Sequence, residues 1–388
     1  MTVKKKHILF IGHEATLTGA PILLLNLLGL IKDDYHFSII LKRGGTLEQS
    51  FKQLSSTIIL KGEDYSKSKN IILFVFERCS FFIKQLSLIP LFFKADIIFS
   101  NTICNGRLLK RFNFFKRPTI VYVHELESML KYFNLKNDTT LSLQLAKILL
   151  CPSKKVLENL RNNHQVNSLK LKLFPYYFKS DQFQFTSSQK IDYRNAFLEK
   201  WNIPTTAKLV CGMGMVSERK GTDLFVSVAK QVFGVNENIY FVWIGDFSEE
   251  EISKKIELEY HSKKYPDRLV FTGKLPYATT NLLPFDLFFL SSKEDPYPLV
   301  VLEAALQNVP SLCYEKSGGI VEFIGYDAGF IIDSLESNVI SNKIIEILKD
   351  DEQLTSIALR CKEKVLELHS NANNISNQFN DVITSVLK

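Results

Sequence analysis

A chain of 388 residues with 46% hydrophobic and 23% charged residues has the profile of a soluble globular α/β protein and excludes a disordered or fibrous one. Its length exceeds what one hydrophobic core usually organises, so two domains of ordinary size are expected. The net charge of +7 admits nucleic acid, an anionic membrane face or phosphorylated ligands without choosing among them, and such an excess is as often plain surface solvation.

The basic start MTVKKK leads into HILFIG at 7–12, an apolar run about one strand long with no small-residue cleavage site, so it reads as a first β-strand and not as a leader. Gly19 and Pro21 then open an amphipathic helix, apolar from Ile22 to Leu28. A glycine at a helix start lets a ligand approach free N–H groups that suit an anion, although a Gly-Pro helix start that binds nothing is an ordinary alternative. The spacing is not G-x-G-x-x-G, which removes the expected fingerprint of a dinucleotide oxidoreductase.

Further short apolar runs follow at 36–41, 56–60, 96–101, 119–124 and 148–153, separated by helical patterns. The series restarts at 208–214, 238–245, 268–273, 287–292, 310–315 and 329–333. Strands alternating with helices predict parallel sheets, and two consecutive series predict two doubly wound domains. The stretch 171–192, with a proline, aromatic residues and a Ser/Gln-rich tail, is read as the linker. The Phe-rich segment 71–94 is the membrane suspect, but Glu77, Arg78, Lys84, Lys94 and Pro90 leave no run long enough to span. It reads as a core helix, with a surface that meets membrane lipid as the alternative. The six cysteines lack CxxC spacing, which argues against a disulfide framework or a zinc site and fits a reducing, cytoplasmic compartment.

In doubly wound sheets ligands bind beyond the carboxyl ends of the strands, so the residues just after each run carry the functional reading. After 208–214 come Arg219 and Lys220, two cations in a strand-to-helix loop ahead of Gly221, able to face a diphosphate. Taken alone, such a pair is usually a solvated turn. After 287–292 come Glu294 and Asp295, then Pro296 and Pro298, then a helix carrying Glu303. Pro298 has no N–H, so the first helix-start donors are those of Leu299 and Val300, which with the helix dipole suit an anion. Glu303 sits among Val300, Val301 and Leu302, where a carboxylate needs a partner: vicinal ribose hydroxyls, or an internal salt bridge. His124 follows the strand at 119–124, a position where a lone histidine is more often packed or capping than functional.

These pieces, in this order, resemble the family 4 retaining glycosyltransferases of GT-B fold, and within them the bacterial branch with an EDPYPLVVLEA-type acidic motif. The resemblance runs along nearly the whole chain: TGAPILLLNLL near the start, NT at 101–102, HELE at 124–127, RKGTDLF at 219–225, FTGKL at 271–275, the acidic motif, and SGGIVE at 317–322. It implies an α/β chain of two Rossmann-like domains facing a cleft. The expected boundaries are 1–180 on the acceptor side, 190–365 binding the nucleotide sugar, and a C-terminal helix, 366–388, packing back on the first domain. It further implies that Glu303 binds the nucleotide ribose, Asp295 lies near the transferred sugar, Lys220 neutralises the donor diphosphate, Gly19 approaches that diphosphate from the other domain, and His124 lies near the reacting sugar and acceptor. Gly273, Lys274 and Leu275 match the loop whose backbone meets the nucleobase. Two departures stand out: Met213 and Met215 occupy the region where the family often has an arginine, for which Arg219 is the substitute, and Asp295 is shorter than the usual glutamate.

The resulting expectation is a retaining transferase that moves a sugar from a nucleoside diphosphate sugar to a glycan or lipid-linked acceptor in bacterial surface polysaccharide synthesis. Lys220, Asp295 and His124 would serve the chemistry. Neither metal nor cofactor is expected, since no D-x-D occurs in the chain and the cations with helix-start amides meet the diphosphate charge. Nucleic acid is not expected as a partner, and the expected location is cytoplasmic, with peripheral contact at the inner membrane face as a variant. The rival readings are a nucleotide-sugar-binding protein that has lost transfer, and a sugar-nucleotide epimerase of related fold.

Overall fold

The computed structural model describes residues 5–61, 83–276 and 279–388. The chain divides into two compact units, one formed by Met1–Phe178 with Asn371–Lys388 and the other by Lys179–Ser370.

Among the described residues of the first unit, seven strands form one parallel sheet: β1 (His7–Gly12), β2 (His36–Arg43), β3 (Thr57–Lys61), β4 (Ile97–Ser100), β5 (Thr119–Tyr122), β6 (Ile148–Cys151) and β7 (Leu171–Leu173), in the order β3-β2-β1-β4-β5-β6-β7. The central strands are apolar at nearly every position because helices cover both faces, so they do not alternate as a half-exposed strand would. The C-terminal helix Ala372–Leu387 packs into this unit, where Phe379 meets Tyr35, Phe99 and Phe174. Tyr35 Oη donates to Asn380 Oδ1 at 2.6 Å.

The second unit holds a six-stranded parallel sheet: β8 (Lys208–Met213), β9 (Ile239–Ile244), β10 (Leu269–Phe271), β11 (Leu287–Leu290), β12 (Ser311–Tyr314) and β13 (Gly329–Ile332), in the order β10-β9-β8-β11-β12-β13. Its core gathers Phe225, Phe241, Trp243 and Phe289 beneath the helix Thr222–Phe233. Both sheets are therefore α/β and doubly wound, as the alternating runs predict.

Strand order reverses direction between β1 and β4 in the first sheet and between β8 and β11 in the second. These two switch points open a crevice at the carboxyl ends of the strands, because the helices leaving the two neighbouring strands go to opposite faces.

The boundary between the two units, Phe178 to Lys179, falls inside the expected linker 171–192, but the two ends of that stretch are regular structure. Leu171–Leu173 is the edge strand of the first sheet, paired in parallel with β6, and Ser187–Lys200 is a helix with a capping box between Thr186 and Gln189. The Ser/Gln-rich composition that suggested a linker is the helix-start signature itself. Of the Phe-rich segment, 71–82 lies outside the described residues; in the rest, Leu88 and Phe92 are buried while Ile83, Leu86, Ile89 and Phe93 are exposed. Among the described residues no helix is long and apolar enough to cross a membrane.

Candidate functional site

In the second unit the expected residues gather at the switch point. Lys220 lies in the loop after β8, and Asp295 in the loop after the neighbouring β11. Lys220 Nζ donates to Asp295 Oδ2 at 2.7 Å, and Arg219 Nη1 lies 3.6 Å from the same oxygen and 3.4 Å from the carbonyl oxygen of Glu294. One carboxylate oxygen thus faces two cations, with the Lys220 and Asp295 side chains 15% and 10% exposed. At that burial the pair is shielded from bulk water, and removing one partner would leave an uncompensated charge.

The loops are held by glycines that no larger residue replaces. Gly318, at φ +149°, bridges Asp295 so closely that a Cβ would fall 1.6 Å from the Asp295 carbonyl oxygen, and the Asp295 N–H donates to the Ser317 carbonyl at 2.7 Å. Gly214, at φ +140°, leaves room for the Lys220 stem, since a Cβ there would lie 3.2 Å from Lys220 Cε. The acidic loop is further anchored by Tyr297, which is buried and shares a 3.0 Å hydrogen bond with Nε2 of His369.

The helix Leu299–Leu306 starts directly after Pro298, so the Leu299 and Val300 N–H groups belong to its open first turn. One turn later Glu303 is partly buried and lines a narrow cavity with Phe183, Met213, Leu282 and Gln307. Gln307 Nε2 donates to the Glu303 carbonyl oxygen at 3.1 Å, and Gln307 Oε1 accepts from the Leu282 N–H at 3.1 Å. Met213 ends β8, which puts this cavity at the same sheet edge as Lys220. The third expected loop follows β10: Gly273 turns at φ +66°, its carbonyl accepts from Gly245 N–H at 3.0 Å, and the Lys274 N–H donates to Asp246 Oδ1 at 2.7 Å. Leu275 continues that loop, partly buried. The loops after β9 and β10 are thereby sewn together.

In the first unit, Gly19 is the first residue of the helix Gly19–Ile31, follows Thr18, whose side chain makes no capping hydrogen bond, and does not have a positive φ. The loop before it already holds a carboxylate. Glu14 accepts from Thr16 and Thr18 hydroxyls at 2.6 and 3.1 Å and pairs with His13 at 3.4 Å; these contacts hold its carboxyl down at about 2. Gly19 thus opens the helix as the sequence predicts, beside a loop organised around Glu14.

His124, two residues beyond β5, is locked into a chain of hydrogen bonds. Asn101 Nδ2 donates to the Ala20 carbonyl at 2.8 Å, which leaves Asn101 Oδ1 to accept from His124 Nε2 at 3.3 Å, and His124 Nδ1 then accepts from the Tyr176 hydroxyl at 3.0 Å. Burial of the ring, with His13 nearby, lowers the imidazole pKa to about 3, so the ring is neutral. Beneath it Glu125 is buried, taking the Thr102 hydroxyl and the His124 N–H, the latter at 2.8 Å. Asn101, Tyr176, Glu125 and Gly318 carry no role in the reading of the sequence. The first and third lie inside the NT and HELE pieces and Gly318 inside SGGIVE, whereas a lone tyrosine after a three-residue strand gives no signal. Among the described residues no cluster of three or more His, Cys, Asp or Glu side chains could hold a metal ion, and the five described cysteines are all free.

Similar structures share this fold over almost the full chain. A protein of Anabaena, HepE, solved with UDP and glucose, superposes with a TM-score of 0.80 at 17% identity, covering 97% of this chain and 99% of that one. WaaG, a glycosyltransferase involved in lipopolysaccharide biosynthesis, superposes at 0.71 and 13% identity over 97% and 99%. The fold is that of the GT-B glycosyltransferases. Residues 194–364 match the family model for glycosyl transferases group 1, so the chain carries a group 1 glycosyltransferase domain in its second unit. Among curated proteins it is 30% identical over 123 residues to N-acetyl-alpha-D-glucosaminyl L-malate synthase of Bacillus anthracis, covering 31% of this chain and 32% of that protein. It is 33% identical over 108 residues to alpha-galactosylglucosyldiacylglycerol synthase of Streptococcus pneumoniae, covering 26% and 27%. The chain spans less than half the length of the curated relatives it matches.

Proposed function

We propose that this chain is a retaining glycosyltransferase that takes a sugar from a nucleoside diphosphate sugar and passes it to a glycan or lipid-linked acceptor in bacterial surface polysaccharide or glycolipid synthesis. The observation that carries the reading is the largely shielded pair of Lys220 and Asp295, with the half-exposed Arg219 on the same carboxylate oxygen, at the second switch point, inside a group 1 domain. Cleaving the anomeric bond puts negative charge on the leaving diphosphate. Two cations fixed beside a helix start stabilise that charge without reorganising. Asp295 pairs with Lys220 and aims it, and Glu303, one helical turn in, accepts the ribose hydroxyls. The 273–275 loop takes the base.

The acceptor hydroxyl attacks from the face the diphosphate leaves, and its proton passes to the leaving phosphate oxygen, so the C–O bond formed replaces the one broken and configuration is retained. No protein nucleophile takes part. The neutral His124, with Nε2 held by Asn101 and Nδ1 by Tyr176, positions those polar side chains beside the reacting sugar and acceptor and carries no charge. HepE was solved with UDP and glucose and with UDP-glucose, and relatives include an N-acetylglucosaminyltransferase and a glucosyltransferase, so uridine nucleotides are the donors to try first. The enzyme needs no metal, works in the cytoplasm, and touches the inner membrane face peripherally; the free cysteines fit a reducing compartment.

The test is a thermal-shift screen of the purified chain against nucleotide sugars, followed by release of the nucleoside diphosphate with and without candidate acceptors. Acceptor-dependent release supports transfer. Stabilisation by a donor with no release points to a binding protein, and conversion of the donor without acceptor points to an epimerase; either outcome overturns the proposal.

A further inference from the structure

Between residues 83 and 117 the sequence contains seven cations, Lys84, Lys94, Arg107, Lys110, Arg111, Lys116 and Arg117, and one carboxylate, Asp96. Seven less one leaves +6, out of +7 for the whole chain. The lone carboxylate is occupied, accepting from the His7 N–H at 2.8 Å. Arg107 is paired with Asp138 at 3.2 Å, and Arg117 donates to the Phe93 carbonyl oxygen at 2.6 Å, while Lys84, Lys94, Lys110, Arg111 and Lys116 are exposed.

The same segment exposes large apolar side chains. Ile83 is 65% exposed, Leu86 49%, Ile89 40%, Phe93 69% and Phe114 65%, although Leu88, Phe92 and Phe112 beside them are buried. Packing makes this one strip: Phe92 stacks on Phe112 at 4.2 Å, Phe93 meets Phe115 edge-on at 6.4 Å, and Phe114 meets Phe115 at 4.2 Å. The buried rings fasten the helix Ile89–Lys94 and the turn Asn113–Phe115 to the first unit, so the exposed ones are presented on a firm base. Lys94 also borders a polar cavity of about 370 Å³, to whose lining Lys32 adds one further cation.

We propose that this strip is where the chain docks on an anionic lipid bilayer, with Phe93 and Phe114 entering the headgroup boundary and Lys84, Lys94, Lys110, Arg111 and Lys116 meeting lipid phosphates. Exposed aromatics set among cations, with no free carboxylate between them, match a surface that is negative and apolar just beneath. A protein partner fits less well, because interface centres are depleted in lysine. The inference sharpens the peripheral-contact part of the functional reading, but it stands on this surface and does not depend on sugar transfer.

The experiment is flotation of the full chain with vesicles of phosphatidylcholine alone and with vesicles in which phosphatidylglycerol replaces part of it. The chain should float with the anionic vesicles and less as salt rises. Lys94→Glu with Lys116→Glu should weaken binding by about tenfold or more. Phe93→Ser with Phe114→Ser should weaken it too, with the thermal midpoint preserved because both rings are largely exposed. Lys255→Glu with Lys264→Glu, the same charge change in the other unit, should leave binding nearly unchanged. Absence of binding to either vesicle, or equal loss in the control, overturns the proposal. Self-association that disappears in the Phe93→Ser, Phe114→Ser variant, without vesicle binding, would assign the strip to a second copy and overturn it as well. Sugar transfer is not read in any arm, so failure here leaves the donor site untouched, and failure of transfer leaves this surface standing.

Discussion

The two units place different electrostatics beyond the carboxyl ends of their strands. At the second switch point Asp295 gathers Lys220 and Arg219; in the first unit, beyond β5, His124 is kept neutral and spends both ring nitrogens on Asn101 and Tyr176. A parallel sheet delivers loops to one edge in either case, and the loops decide whether that edge handles charge or only direction. Catalysis needs interactions that strengthen as the transition state forms. In the proposed reaction the charge grows on the diphosphate, so the ionic site should govern the rate and the neutral one should govern orientation.

The sharpest break of that comparison is Lys220→Ala, which removes the better-placed cation. We expect kcat to fall by something on the order of 10²–10³, the loss seen when one preorganised donor is removed. The variant should remain folded, with the thermal midpoint checked alongside the kinetics. A variant whose kcat is intact would detach the cation cluster from the chemistry.

Within the ionic unit, Glu303→Gln should act differently. A carboxylate that accepts from ribose hydroxyls makes the same contact in ground and transition states, so its loss weakens donor binding and raises KM with kcat nearly kept. We expect a KM rise of roughly tenfold, about one strong hydrogen bond. Normal donor affinity, or an unfolded variant, would make Glu303 a structural partner and misplace the ribose.

The neutral unit is tested through pH. The folded His124 pKa lies at about 3, below its ordinary 6.5, so between those values the unfolded chain binds the extra proton. Stability from this residue is therefore complete above about pH 6.5 and is lost progressively as pH falls toward 3. Denaturant midpoints measured at neutral and mildly acid pH should drop more for the wild type than for His124→Gln. Equal slopes would mean that the ring is not held neutral.

Much of this was legible in the sequence, for identifiable reasons. Strands buried on both faces read as unbroken apolar runs, so all the described strands but Leu171–Leu173 stood out. That strand has three residues, and the Lys172 side chain finds its partner at Ser385, 213 positions away. Lys220 and Asp295 could be picked because each follows a strand, but their ion pair spans 75 positions and depends on β8 lying beside β11. The partners of His124 were out of reach for the same reason: Asn101 and Tyr176 have no spacing relative to it that chemistry would single out. The glycines of SGGIVE were visible, whereas the need for one at 318 appears only once the Asp295 carbonyl is seen against it.

The smallest expected effect concerns metal, and it bears directly on why the two units differ. If the diphosphate charge is met by Lys220, Arg219 and the first-turn amides of the helix at Leu299 and Val300, a divalent cation has little left to neutralise, and it would compete with the lysine for the same phosphate oxygens. Turnover measured with saturating donor should then change by less than about twofold when EDTA is added, since no preorganised charge is removed. Added Mg²⁺ or Mn²⁺ should not rescue Lys220→Ala, because an ion bound only through phosphate oxygens lacks the protein carboxylate ligands that usually fix it in such sites. Complete loss on chelation, restored by Mn²⁺, would show that an ion carries the charge at the second switch point, leaving Lys220 to position Asp295. The contrast between an ionic and a neutral unit would then no longer explain the rate.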